Sequence, residues 1–304
     1  MNKTADFSLL FVVFIWGVTF VMVQNALSFL DPFTFNAVRF FMAFVFLLIP
    51  YLLTLHKKGK NGSKGLGLFK AGFHIGVWLF LGYGLQTIGL NYTTPAKTGF
   101  ITGLSVVMVP VFSLLLLKHR LSRNTIIGVA AATIGLYLMT FADRSNLNIG
   151  DLLVFLCAIS FAMQIITTAK YAKTLPALPL TLIQVSTVSL LSFVSAFIFK
   201  ENHSVIFSSE VMLQKDVWTA LLVTAALATA FAFFAQTFFQ AYTTPTRVAL
   251  IFSMEPVFAA LSSYILIGEK LTSASIIGCA FIFLGMIFAE LPVKKKKPVT
   301  QGFS

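Results

Sequence analysis

Long apolar stretches alternate with short polar segments along nearly the whole chain, and this pattern predicts membrane-spanning helices. A hydrocarbon core roughly 30 Å thick requires about 20 mostly apolar residues of α-helix, and ten stretches approach that length. The polar connections between them are too short to form a folded soluble domain. We therefore predict an all-α, polytopic membrane protein with ten transmembrane helices. The predicted spans are Phe7–Leu27, Phe33–Leu55, Phe69–Leu90, Thr98–Leu117, Thr125–Phe141, Leu152–Ala169, Leu180–Phe199, Val217–Gln240, Val248–Ile267 and Ser275–Ala289.

The second half of the chain repeats the first. Setting Gln86–Gly135 against Gln236–Gly285 gives 16 identities in 50 positions at a constant offset of 150 residues, including Tyr-Thr-Thr-Pro at 92 and 242. Each copy holds five predicted spans, and an odd number of spans requires the two copies to have opposite orientations in the membrane. We therefore predict two inverted five-helix repeats, at residues 1–145 and 146–304, the second ending in a basic tail.

Charged residues are few, and their positions predict the orientation. Hydrophobic residues make up 58% of the chain, charged residues 11%, and the mean hydropathy is +0.90. Placing the N-terminus in the cytoplasm puts 16 of the 22 Lys and Arg residues on the inner side, which matches the positive-inside rule. Topology thus accounts for the net charge of +12 without a nucleic-acid partner. We expect a cell-membrane protein with both termini in the cytoplasm and with membrane lipids as partners.

Both halves carry short motifs of small, aromatic and charged residues in and next to the predicted spans. The first half has Trp16-Gly17 followed by Thr19-Phe20, Arg39-Phe40, and the run from Gly99 to Leu104. The second half has Glu255-Pro256-Val257-Phe258-Ala259-Ala260 and Gly268-Glu269-Lys270-Leu271-Thr272. Together these motifs resemble the drug/metabolite transporter superfamily, in particular its EamA-like branch of ten-helix proteins. Two departures are Phe161-Ala162-Met163, where the first copy has Trp16-Gly17-Val18, and Lys118-His119-Arg120, where the family often has Gly-Glu-Arg.

The resemblance implies alternating-access transport by a secondary active transporter. In the family this is commonly export of small metabolites, such as amino-acid-like or amphipathic compounds, or of drugs. It further implies a midplane cavity lined mainly by helices one, three, four, six, eight and nine. A membrane scaffold or a lipid-translocating protein with the same fold is the alternative function. The substrate itself and the oligomeric state do not follow from the sequence.

Glu255 is the first candidate site residue, because it lies about eight residues into the ninth span. A carboxylate at that depth is costly, with estimates starting at about 2.5 kcal/mol, so it should face a cavity or a partner or carry a proton. Proton coupling, binding of a substrate amine, and a structural role beside a kink at Pro256 remain open. Pro110 and Pro256 each leave a carbonyl without its helical donor, which predicts bent helices at nearby depths in both repeats.

Other polar and aromatic residues near mid-span are further candidates. Gln86 and Gln236 occupy the same repeat position, where each amide can bind substrate or bridge neighbouring helices. Arg39 is predicted to reach the outer interface or to pair with an acid such as Asp31, in a structural or gating role. Trp16, Trp78 and Tyr83 lie away from the interfacial belt; they are expected either to line a substrate path or simply to pack.

The chain carries no pattern of an enzyme. Its four histidines are scattered, and no H-E-x-x-H motif or phosphate-binding P-loop occurs in the sequence. Cys157 and Cys279 lie in apolar spans and suggest packing rather than a disulfide or a metal site. We predict no enzymatic activity, no metal and no cofactor, and we expect a small-molecule substrate whose transport is driven by a gradient, with the proton as the candidate coupling ion.

Overall fold

The structure is a computed structural model that describes residues 3–58, 65–118, 121–141, 148–268 and 272–290, and this part of the chain is helical without a strand. The basic run Lys294–Lys297, His119 with Arg120, and Glu269 with Lys270 lie outside the described residues. The helices are α1 (Lys3–Ala26), α2 (Pro32–Lys58), α3 (Gly65–Leu90), α4 (Pro95–Thr102), α5 (Ser105–Leu117), α6 (Arg123–Phe141), α7 (Ile149–Tyr171), α8 (Ala177–Ile198), α9 (Ser209–Met212), α10 (Lys215–Ala225), α11 (Ala232–Gln240), α12 (Pro245–Phe252), α13 (Glu255–Ile267) and α14 (Ser273–Glu290). A 3₁₀ turn covers His203–Phe207, and a π-helical segment, Ala226–Phe231, joins α10 to α11.

Most of these helices are long and apolar enough to cross a membrane. Within the described residues, eight helical stretches meet that requirement by length and composition, and three of them are the composites α4 with α5, α10 with α11, and α12 with α13. The other two predicted spans correspond to shorter apolar helices at Arg123–Leu138 and Ser273–Ala289. The chain is thus a multi-pass membrane protein of all-helical fold.

Two of the predicted spans are interrupted at the same repeat position. Between α4 and α5 the interruption falls at Gly103 and Leu104, and between α12 and α13 it falls at Ser253 and Met254. Pro256 explains the second interruption, because it removes the amide that would bond the carbonyl of Phe252. Pro110 does not explain the first, since it lies inside α5. The bend predicted at Pro110 itself stays a prediction. There the helix tightens instead, with the Val106 amide donating to the carbonyl of Gly103, three residues back, at 3.0 Å.

The repeated Tyr-Thr-Thr-Pro sequence starts a helix in each half. Thr94 and Thr244 are N-caps whose side chains accept the amides of Lys97 and Arg247 at 3.2 and 3.3 Å. The following proline stands at the first helical position, where its missing N–H would have had no helical partner in any case. The duplicated motif is therefore a structural signal that fixes where α4 and α12 begin.

Helices of one half pack largely against helices of the other. The main pairings across the halves are α1 with α13, α2 with α8, α3 with α7, α3 with α8, and α6 with α14. Helices α6 and α14 pack closely through their glycines. A Cβ added to Gly128 would lie 2.5 Å from the carbonyl oxygen of Gly285, and a Cβ added to Gly135 would lie 2.5 Å from the carbonyl oxygen of Gly278. Low numbers on α6 thus meet high numbers on α14, so these two equivalent helices cross antiparallel.

Candidate functional site

A small cavity lies where the two halves meet, and both helix interruptions border it. Its volume is about 40 Å³, enough for a few water molecules and too small for a metabolite. The residues lining it come from α1, α3, α4, α5, α7, α11, α12 and α13. These helices belong to the predicted spans one, three, four, six, eight and nine, the set that the family resemblance implied. The lining residues are Trp16, Tyr83, Gln86, Thr102, Ser105, Phe161, Gln164, Ile165, Phe233, Gln236, Phe252 and Glu255. We call this the central cavity.

Equivalent positions of the two repeats face each other across the central cavity. The offset of 150 residues relates Tyr83 to Phe233, Gln86 to Gln236, Thr102 to Phe252 and Ser105 to Glu255, and all eight line it. Trp16 and Phe161, which correspond in the first helix of each repeat, line it as well. The cavity is therefore built twice from one ancestral set of positions, and its acid is present on one side alone.

Glu255 is the one acidic residue among those lining the central cavity. It is the first residue of α13, so its carboxylate lies near a helix N-terminus, where negative charge is stabilised. Within the described part of the chain it makes no ion pair, and its side chain accepts no hydrogen bond. Of the alternatives drawn from the sequence, a cavity, a partner or a bound proton, the structure places the residue at a cavity; its role there stays a prediction.

Gln86 and Gln236 line the cavity and also bridge helices. The Gln86 amide donates to Thr102 Oγ1 on α4 at 3.2 Å, and the Gln236 amide donates to Gln164 Oε1 on α7 at 3.0 Å. The carbonyl oxygen of the Gln236 side chain is buried without a hydrogen-bond partner in the described residues. The two alternatives drawn from the sequence are thus compatible at these positions, since each amide supports the wall from which it reaches the cavity.

Aromatic rings form most of the remaining wall. The centroid of the Trp16 ring lies 5.0 Å from that of Phe252 and 5.5 Å from that of Phe233. The ring centroids of Tyr83 and Phe161 lie 5.2 Å apart. The Trp16 indole donates to the carbonyl of Ala228 at 2.8 Å. That carbonyl belongs to the π-helical segment, and such segments occur often at functional sites.

Trp78 does not line the central cavity. Its indole donates to His74 Nε2 on the same helix at 3.2 Å, one turn away. The sequence could not separate Trp78 from Trp16, because both lie near mid-span and only the rotation of the helix decides which ring faces inward. Phe161 and Phe233 line the cavity but were not among the sequence-based candidates. The repeat could have indicated them, because they occupy the positions equivalent to Trp16 and Tyr83.

Arg39 lies deeper than predicted. Only 3% of its surface is exposed, and its Nε donates to Thr229 Oγ1 at 2.8 Å, while one of its terminal nitrogens lies 3.5 Å from the Tyr83 hydroxyl. It neither reaches the outer interface nor pairs with Asp31, whose carboxylate accepts the amide of Asn202 instead. The expectation of a snorkelling side chain is wrong.

Arg39 lines a second, smaller cavity that adjoins the central one. This second cavity has a volume of about 20 Å³ and shares Trp16, Tyr83, Gln86 and Glu255 with the central cavity. Its other walls are Thr19, Phe20, Val23, Arg39, Thr87 and Leu90. The one buried guanidinium and the one carboxyl of this region therefore border a common space.

Two ion pairs stand at opposite ends of the helix bundle. Lys97 lies 2.7 Å from Asp151, and Arg247 lies 2.6 Å from Asp6. The first pair joins α4 to α7 and the second joins α12 to α1, so each links one half of the chain to the other. Lys97 and Arg247 occupy equivalent positions of the two repeats. Asp6 and Asp151 are equivalent as well, because the same spacing separates them as separates Trp16 from Phe161. No cluster of metal-binding side chains occurs in the described residues.

The chain matches a known family along almost its full length. The sequence profile of the EamA-like transporter family matches residues 3–141 and again residues 148–291. The chain belongs to the EamA-like transporter family. It is accordingly a membrane transporter, and the family resemblance noted from its motifs is confirmed.

Relatives of this EamA-like transporter carry transporter names. An "uncharacterized transporter" of Archaeoglobus fulgidus is 36% identical over 292 residues, covering 95% of this chain and 86% of the relative. A "probable amino-acid metabolite efflux pump" of Salmonella typhimurium is 25% identical, covering 94% of each chain. A solved crystal structure with 16% sequence identity superposes with a TM-score of 0.75, over 95% of this chain and 98% of its own, and shares the fold.

Proposed function

We propose that this chain is a secondary active transporter that exports a small metabolite by alternating access through the central cavity. The observation that carries the proposal is the position of Glu255, a carboxyl without a protein partner in the described residues, at a broken helix on the boundary between two repeats. In transporters built from inverted repeats, substrate and coupling-ion sites typically lie near the bilayer midplane, at discontinuous helices. The efflux name of the relative from Salmonella typhimurium supports export as the direction.

The proposal includes ten spans arranged as two inverted repeats, with domains at 1–145 and 146–304. The antiparallel crossing of the equivalent helices α6 and α14 supports the inversion, as do the two matches to one family profile. The short apolar helices α6 and α14 would be the fifth and tenth spans. With both termini in the cytoplasm of a cell-membrane protein, the pair Lys97 and Asp151 lies at the outer face and the pair Arg247 and Asp6 at the inner face.

The two ion pairs then act as the closures at either end. Each joins the start of a broken span, α4 or α12, to the first helix of the other half, and both pairs are formed here together with a cavity of water size. Such an arrangement corresponds to a closed state between the two open ones. Alternating access follows if one pair separates while the other stays formed.

Glu255 is the group that we assign to coupling, either by carrying a proton or by holding a cationic group of the substrate. The aromatic walls suit an amphipathic compound, because Trp16, Tyr83 and Phe161 present apolar rings close to the polar Gln86 and Glu255. The alternative of lipid translocation has less support. A groove of about 480 Å³ between α2 and α8 is lined mostly by apolar side chains and offers little to a polar headgroup.

The test uses purified protein in liposomes loaded with a mixture of the twenty common amino acids and their decarboxylated amines. Release is measured by mass spectrometry with and without an imposed pH gradient, using Glu255→Gln and, as a matched control, Glu210→Gln in the exposed loop helix α9. We expect saturable, gradient-dependent release with the wild type and with the control. Glu255→Gln is expected to lose the dependence on the pH gradient if the carboxyl carries the proton. An unchanged pH dependence would remove Glu255 from coupling, and absence of release by the wild type would remove this substrate class.

A further inference from the structure

Arg39 is a buried cation for which the described residues provide no anion. The two ion pairs among them involve other side chains, and Arg39 is held instead by the Thr229 hydroxyl and by the faces of Tyr83 and Phe40, at 4.7 and 5.4 Å from the ring centroids. Charged groups inside a membrane protein are costly and normally mark a functional position. A lone guanidinium with 3% exposure therefore calls for a ligand.

The hydrogen bonds of Arg39 leave part of the guanidinium free. The group has five N–H donors in a planar fork, and one bond at 2.8 Å to Thr229 and one long contact at 3.5 Å to Tyr83 use only two of them. The side chain lines the second cavity, so the remaining donors have a space to point into. A forked guanidinium can bind two oxygens of a carboxylate or of a phosphate group at once, and the carboxylate is the smaller of the two.

The second cavity also borders Glu255, and it is continuous in its lining with the central cavity through four shared residues. A ligand seated there would meet a cation on one wall and a carboxyl on another. Thr19 and Thr87 stand on the same walls, but each hydroxyl already donates to a helix carbonyl, so it offers a ligand only an acceptor. The aromatic rings of the central cavity then remain for an apolar side chain.

We propose that Arg39 holds the carboxylate of the transported molecule while Glu255 faces its ammonium group, so that the site selects small zwitterions that carry both groups. The inference rests on the proposed transport function and names its substrate class. It assigns Arg39 to substrate binding, and it assigns the aromatic rings of the central cavity to binding the side chain of the substrate. The cavity must widen in an open state, because its present volumes of about 40 and 20 Å³ hold water alone.

A purely structural role is the competing explanation, since Arg39 also ties α2 to the π-helical segment through Thr229. The two explanations differ in what they predict for substrates without a carboxylate. If Arg39 only supports the helices, its loss impairs every substrate alike. If Arg39 binds the carboxylate, its loss harms zwitterions and leaves the corresponding amines nearly unaffected.

The experiment compares each amino acid that the wild type releases from liposomes with its own decarboxylated amine. The variants are Arg39→Met, which removes the cation, Arg39→Lys, which keeps a cation without the fork, and Thr229→Val, which removes the structural hydrogen bond and leaves the guanidinium. We expect Arg39→Met to raise the KM for the zwitterion about tenfold or more and to leave the KM for the amine within about twofold. Arg39→Lys should lie between, and Thr229→Val should change both substrates in parallel.

Parallel losses for zwitterion and amine with Arg39→Met would overturn the proposal. If that variant does not fold, Arg39→Lys decides by the same ratio of KM values. A wild type that releases amines but no amino acid would also overturn it while leaving transport through the cavity intact. A wild type that releases neither would contradict the proposed transport of this class of compound and the zwitterion site with it.

Discussion

Gly17 lies where α1 passes closest to the start of α13, and replacing it with alanine should force the two helices apart. A Cβ at this position would lie 2.6 Å from the Cβ of Phe258, and 2.9 Å from both the amide nitrogen of Ala259 and the carbonyl oxygen of Glu255. Ordinary contact begins at 3.4 Å, so the helices must separate by roughly 0.8 Å. The opposing atoms belong to backbone and to a Cβ, and no flexible side-chain end can yield in their place.

The cost of this substitution follows from two opposing effects. Overpacking of a well-packed interior costs typically 1–3 kcal/mol, while exchange of glycine for alanine within a helix gains up to about 1 kcal/mol. We expect Gly17→Ala to lower the free energy of unfolding by about 1–2 kcal/mol. Because the contact includes the Glu255 backbone, the carboxyl should shift as well, and transport should fall by about tenfold or more.

The assay is thermal unfolding in detergent together with release from liposomes. Gly67→Ala is the matched control, since a Cβ there meets nothing within 4 Å and should leave both stability and transport unchanged or slightly raise stability. The reasoning is refuted if Gly17→Ala unfolds at the temperature of the control and transports like the wild type.

Further predictions concern the aromatic wall and the two closures. Trp16→Phe removes the indole bond to the Ala228 carbonyl and should lower transport several-fold, whereas Trp78→Phe should leave it unchanged because that ring lies off the cavity; equal effects in liposome release would contradict the assignment. In a protein with a cysteine introduced into the central cavity by Ser105→Cys, Lys97→Met should raise labelling of that cysteine by an impermeant thiol reagent added at one face, and Arg247→Met should raise it from the opposite face. Labelling that rises at the same face in both variants would rule out opposed closures.

Hydrophobic length identified the helices well, and it could not identify where they break. The sequence placed a span at 98–117, and the structure has α4 and α5 there, separated at Gly103 and Leu104. Pro110 was the residue in the sequence that suggested a break. The interruption arises instead where the backbone hydrogen bonds change from a spacing of four residues to a spacing of three, and no residue type indicates that change. The π-helical segment Ala226–Phe231 was equally invisible, since its composition is that of an ordinary apolar helix.

Depth along a span was predictable, whereas burial around the helix was not. Arg39 was counted as lying two turns from the helix end and therefore within reach of water. The structure covers that end, because Glu201 accepts the amides of Phe33 and Thr34, and Val205 and Met212 of the neighbouring loop pack on the cluster that contains Phe35. A loop that looks like a simple polar connection in the sequence thus becomes a lid over α2.

The repeat explains both what the cavity shares and what makes it selective. A binding site between two equivalent halves would be symmetric if the halves had not diverged, and a symmetric wall favours neither end of an asymmetric molecule. Here the position equivalent to Glu255 holds Ser105. In α2 and α8, Asn36 and Gln184 are equivalent, because they donate to the repeat-equivalent residues Thr87 and Thr237. The same register makes Thr187 the equivalent of Arg39. Each charge is therefore present in one copy alone, Arg39 in the first half and Glu255 in the second. The cavity is asymmetric as a result, and a substrate with two unlike ends has a single way to bind.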